Sequence, residues 1–125
     1  MDKATYETGM RMRREVLGEA FVAEAEASAD AFFRPFLDFV TEYAWGAVWG
    51  REALPTKTRS LLNLALLTAL NRPQELRVHM RAALRNGVSP EEIREVLWHA
   101  AVYAGVPAAM DAFRVARDVL QEAWR

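Results

Sequence analysis

Two histidines occur in this 125-residue chain, and each follows a glutamate by four positions: Glu75 with His79, and Glu95 with His99. Residues four apart share one face of a helix, so each pair can touch if its segment is helical. Three chemistries fit. Both pairs together could hold a metal, since helical bundles build carboxylate-and-histidine sites in their cores; the di-iron pattern, however, uses Glu-x-x-His spacing and further glutamates. Each pair could be an ordinary helix ion pair, worth about 0.2–0.5 kcal/mol. Or a histidine tuned by its carboxylate could transfer protons near neutral pH. Spacing alone does not choose among them.

Other residues qualify by type and place. Arg59 stands at the start of a very apolar segment, one turn before Asn63. A buried arginine needs an anion, either a structural carboxylate or one carried by a substrate. Arg81 follows His79 by two positions, which on an ideal helix points it nearly the opposite way, so it does not share a small pocket with His79 unless it serves a neighbouring subunit. Trp45 and Trp49 are four apart with Gly46 between them, an aromatic stripe suited to a core, an interface or a pocket wall. Tyr103 follows His99 by four and could orient it or donate a proton.

The elements that position these residues read as helices throughout. No Asn-Gly or Asp-Gly hairpin signal occurs, and no segment alternates with period two. Helices are expected from about Asp2 to Leu17, stopped by Gly18, and from about Ala20 to Ala31. Pro35 opens a third segment through Trp49, and residues 50–55 form a loop. The fourth helix, about Thr56 to Leu70, is apolar on nearly all sides after Arg59, which suits the middle of a fold or an interface. Pro73 opens the fifth, ending at Asn86-Gly87. Ser89-Pro90-Glu91-Glu92 carries a capping box for the sixth, which runs to about Ala104. Gly105 stops it, and Pro107 starts a last helix to about Trp124. The short turn between the fifth and sixth helices makes them expected antiparallel neighbours. The fold class is all-α, a bundle of six to seven helices in a single domain over residues 1–125.

Composition narrows the function. The net charge of −1 gives no electrostatic case for nucleic acid. Arginines number 14 against 2 lysines, so a cation in a buried site is expected to be the guanidinium that matches a carboxylate. There is no cysteine, which removes disulfides, thiolate metal sites and thiol nucleophiles together. The start of the chain has no apolar signal-peptide core. The apolar run Leu61 to Leu70 falls short of the roughly 20 residues that span a bilayer, so a cytoplasmic protein without membrane partners is the default.

Several blocks resemble one family. YAWGAVW at 43–49, TRSLLNLALLTALNR at 58–72, ELRVHMRAALRNGVSPEEI at 75–93 and VYAGVPAA at 102–109 are similar, in order, to segments of the carboxymuconolactone decarboxylase family, as is the opening YETGMRMRREVLG at 6–18. The resemblance covers essentially the whole chain. It implies an alkyl-hydroperoxidase-D-like helical fold and a ring-shaped homo-oligomer, commonly a hexamer built as a trimer of dimers. The implied activity is decarboxylation of 4-carboxymuconolactone to the β-ketoadipate enol-lactone in protocatechuate catabolism, with no cofactor and no metal. Two positions depart from the pattern: Ala104 stands where the family has a cysteine, and Met110 where an asparagine is common. The related hydroperoxidases use a Cys-x-x-Cys pair, so this chain cannot run their disulfide cycle.

The implied reaction explains the residue types. Loss of CO₂ leaves an electron pair that delocalises through the ring alkene onto the lactone carbonyl, so the substrate is its own electron sink. The protein must hold two carboxylates, stabilise the oxyanion and protonate the ring carbon beside the carbonyl. The resemblance and the spacing assign His79 to the lactone oxygen or the proton, Glu75 to orienting and charging His79 or delivering the proton, and Arg59 to a carboxylate. Tyr103, Trp45 and Trp49 would wall the pocket, with His99 and Arg81 as further substrate-binding candidates. Alternatives are another small carboxylated lactone as substrate, or an oligomeric binding protein without turnover.

Overall fold

The computed structural model describes residues 1–123, and every regular element among them is helical. Seven α-helices occur: α1 (Lys3–Leu17), α2 (Glu19–Ser28), α3 (Arg34–Val40), α4 (Thr56–Ala69), α5 (Pro73–Arg85), α6 (Pro90–Ala104) and α7 (Val106–Ala123). The expected end of the last helix, Trp124, lies outside the described residues. No described helix is long and apolar enough to cross a membrane. The helices group into two compact units, Met1–Pro55 and Thr56–Arg125.

In the first unit the expected single helix through Trp49 is instead α3 followed by a π-helical segment, Thr41–Val48. The wider turn shows at its end, where the Trp49 N–H donates to the Ala44 carbonyl five residues back. At the junction the Thr41 hydroxyl donates to the Leu37 carbonyl at 2.8 Å, a side-chain bond that competes with the regular ladder. The π segment lies along α1 in backbone contact. A Cβ on Gly9 would collide with the Thr41 carbonyl oxygen, and one on Gly46 with the Thr5 carbonyl oxygen. Glycine is therefore the residue that fits at either crossing. Gly18, at φ 97°, ends α1 in a backbone conformation that side chains rarely adopt.

A buried charge cluster ties this unit together. Arg13, only 3% exposed, donates to Glu26 at 2.8 Å, and Arg34 pairs with the other Glu26 oxygen. Burial would raise the Glu26 carboxyl, but the Arg34 and Arg13 guanidiniums outweigh it and hold it below its usual value.

The second unit has a continuous apolar core. Leu64 of α4, Leu76 and Met80 of α5, Ile93 and Leu97 of α6, and Val119 of α7 are all fully buried. Each contributes about 1.5–3 kcal/mol by leaving water. Helix α4 meets this core along Ser60, Leu64 and Thr68, one turn apart. Its other side leaves Leu62, Leu66 and Leu70 exposed. Helices α5 and α6 are not the packed neighbours that the short turn suggested: each packs against α4 and α7 instead. The capping box forms as expected, with Ser89 accepting from the Glu92 N–H and Glu92 accepting from the Ser89 N–H. Glu92 also pairs with Lys57 at 3.1 Å, linking the start of α6 to α4.

Two substitutions test this account. Ser89→Ala removes the cap and should lower unfolding free energy by about 1 kcal/mol in urea titrations. Gly9→Ala should cost about 1–3 kcal/mol, because the rigid Thr41 carbonyl cannot move aside. A neutral Gly9→Ala would mean that α1 and the π segment are not in backbone contact.

Candidate functional site

The seam between α4 and α5 holds the groups best placed for chemistry. Helix α5 buries Leu76, Met80 and Ala83, which puts His79 on the flank of its core face. Helix α4 buries Ser60, Leu64 and Thr68, which puts Arg59 and Asn63 on the flank of its own. All three flanking residues are partly buried. The two flanks meet: His79 Nδ1 lies 3.2 Å from Asn63 Nδ2, within hydrogen-bonding distance. Asn63, outside the site read from the sequence, is thus part of it. Its signal was a polar amide inside an otherwise apolar helix, one turn after Arg59.

Electrostatically, His79 differs from the expectation. Glu75 was expected either to orient and charge it or to deliver the proton; Glu75 is solvent-exposed in the first turn of α5, and the Nδ1 contact goes to Asn63. Burial pushes the His79 pKa down, which favours the neutral imidazole at pH 7. A neutral imidazole has one donor and one acceptor nitrogen and can bind an oxyanion without carrying charge of its own.

The remaining candidates sit elsewhere. Arg81 forks onto Glu122 of α7 with two bonds of 2.9 Å, so its guanidinium serves the α5–α7 seam. Trp45 and Trp49 are buried in the first unit with ring centroids 4.9 Å apart. The His99 and Tyr103 rings lie tilted against each other at 5.0 Å on α6, both exposed, Tyr103 by 80%. They line an open groove of about 510 Å³ between α4 and α6, walled by Leu62, Ala65, Leu66 and Ala100. Ala104, where the family pattern has its cysteine, lines the same groove. Met110 is exposed on α7. Among the described residues no three His, Asp or Glu side chains converge as a metal-ligand set. The two Glu-x-x-x-His pairs also stand on helices that do not pack on each other.

The sequence profile of the carboxymuconolactone decarboxylase family matches residues 34–118. The chain belongs to that family. Among relatives of this decarboxylase family member, 4-carboxymuconolactone decarboxylase of Acinetobacter baylyi is 41% identical over 121 residues, covering 97% of this chain and 90% of the relative. Nitrosuccinic acid decarboxylase of Metarhizium robertsii is 39% identical over 122 residues, covering 98% of this chain and 85% of the relative. An uncharacterized 15.0 kDa protein of Paracoccus denitrificans is 37% identical over 84 residues, covering 65% of this chain and 62% of that protein. The family match contains both the π-helical segment and the α4–α5 seam.

The lowered His79 pKa has a pH consequence. The unfolded histidine titrates near about 6.5 and the folded one lower. Below about pH 6.5 the unfolded chain therefore binds a proton that the folded chain resists. The stabilising contribution of neutral His79 is complete above that pH and declines as pH falls toward the folded value. NMR titration should place the His79 midpoint below about 6.5. His79→Gln should flatten the stability profile across this window. A His79 midpoint above the usual value would contradict the burial described here.

Proposed function

We propose that this protein is a carboxy-lyase that decarboxylates 4-carboxymuconolactone to the β-ketoadipate enol-lactone without a metal or cofactor. The single observation that carries the reading is the partly buried His79, held by Asn63 on the same helix that carries Arg59. Family membership and the 41% identical relative named for this reaction support it.

The chemistry follows from the substrate. Breaking the bond from the ring carbon to the carboxylate releases CO₂. The electron pair moves through the ring alkene to the lactone oxygen, and a proton then adds to the carbon beside the carbonyl. Arg59 anchors a carboxylate through its planar fork. His79 donates a hydrogen bond to the lactone oxygen as negative charge develops there, the kind of preorganised contact that lowers a barrier most. Glu75, one turn earlier on α5, is assigned to delivering the proton. Tyr103 and His99, expected as substrate-binding residues, line the groove on the other flank of α4 and take no part in this step.

This reading places the enzyme in cytoplasmic protocatechuate catabolism and in a ring-shaped homo-oligomer, commonly a hexamer. Support for self-association comes from exposed Leu62 and Leu66 on α4, Leu70 just after it, and exposed Trp98, Val102 and Val106 on α6 and α7. Apolar surface of this extent is a recurrent mark of interfaces.

A second reading has its own observation, the 39% identical nitrosuccinic acid decarboxylase. A nitro group can accept the electron pair left by CO₂ as a nitronate, so the same oxyanion contact would serve. Competition between the two substrates separates the readings. Metal-stripped protein should convert 4-carboxymuconolactone, generated in situ and followed by ultraviolet absorbance, with the higher kcat/KM. A preference for nitrosuccinate would reverse the assignment. His79→Gln should lower kcat by about tenfold or more while the helical content stays unchanged. Unchanged turnover in that variant would remove His79 from the mechanism.

A further inference from the structure

The Asn63–His79 contact has a definite polarity. An asparagine Nδ2 carries two N–H donors and no acceptor. At 3.2 Å from His79 Nδ1 it can only donate, which requires a lone pair on that ring nitrogen. Neutral imidazole has one protonated nitrogen, so the proton must then sit on Nε2. We propose that Asn63 is the positioning residue of the site: its amide donates to His79 Nδ1 and so fixes the imidazole as the Nε2–H tautomer, an electrophilic hydrogen-bond donor. The inference rests on the proposed decarboxylation for its catalytic meaning but not for its structural content.

Helix packing holds the contact. Leu64, next to Asn63, and Met80, next to His79, are both fully buried, so neither helix can turn about its axis to part the pair without moving a core residue. Burial also disfavours the charged form of His79, and an imidazolium would place an N–H against the N–H of Asn63. The arrangement assigns His79 one task. With Nδ1 occupied as an acceptor and Nε2 as a donor, the ring stabilises negative charge on oxygen and does not act as a general base.

The test has a spectroscopic and a kinetic arm, both on the full-length protein. With ¹⁵N-labelled histidine, long-range ¹H–¹⁵N correlation at neutral pH should show His79 with unprotonated Nδ1 and protonated Nε2. Asn63→Asp replaces the donor by an acceptor and should move the proton to Nδ1, with His99 as an unchanged internal reference. Asn63→Leu should leave a mixture of tautomers. In turnover of 4-carboxymuconolactone, Asn63→Asp should lower kcat by about tenfold or more, with a smaller change in KM, since the contact made by Nε2–H strengthens in the transition state. An Nδ1–H tautomer in the unsubstituted protein would overturn the proposal, as would a tautomer indifferent to both substitutions. An Nδ1–H wild-type spectrum overturns the proposal even if a variant fails to fold, and an Nε2–H one is assigned to Asn63 by its change in either substituted protein. The Nε2–H tautomer in a protein that turns over no lactone would uphold the positioning role and refute the assigned reaction.

Discussion

Everything at the site depends on the packing of α4 between its neighbours. One stripe of that helix, Ser60, Leu64 and Thr68, closes the core against α5, α6 and α7. The flank on the α5 side then carries Arg59 and Asn63, and the flank on the α6 side carries the leucines that wall the groove beside His99 and Tyr103. A rotation of α4 about its axis would withdraw Asn63 from His79 and open the core together. The interior resists such a rotation because it is close-packed and Leu64 is completely buried. The Asn63–His79 geometry and stability therefore share one set of contacts.

This constraint explains what kind of histidine the protein offers. A histidine beside an exposed glutamate would be an adjustable base. His79 is on the same helix as Glu75, but it is partly buried and its Nδ1 lies against the Asn63 amide. Burial favours the neutral ring, and the proposed tautomer makes Nδ1 its acceptor and Nε2 its donor. For a substrate whose own carbonyl accepts the electron pair, such a ring is useful, since the demand falls on oxyanion stabilisation. It also accommodates a relative named for nitrosuccinic acid, because a nitro oxygen and a lactone oxygen pose the same electrostatic problem. The alanine at position 104 lines the groove on α6, so the missing family cysteine changes that wall rather than the Asn63–His79 contact.

Much of the scaffold was legible in the sequence because its signals are local. The capping box at Ser89, the stop at Gly18 and the end of α5 near Asn86 each depend on residues within one turn. What escaped depends on distant residues. The π-helical turn lies against α1 where Gly9 and Gly46 meet backbone across the crossing, and no periodicity announces it. The turn between α5 and α6 fixes how close their ends lie, but the apolar faces at Leu76 and Ile93 both seek α4 and α7, so the helices part. The bond from Arg81 to Glu122 spans 41 positions, and that from Asn63 to His79 spans 16. Spacing within one helix found the reactive residue types, whereas their partners came from other helices.

The measurement that bears most directly on the central claim is product analysis in heavy water. Metal-stripped protein would be given 4-carboxymuconolactone in D₂O and the fresh product read by NMR, alongside measurement of released CO₂. Decarboxylation through a ring anion stabilised at the lactone oxygen predicts one CO₂ per product and one deuterium on the carbon beside the carbonyl. Folded protein that releases no CO₂, or a product without deuterium at that carbon, would contradict it.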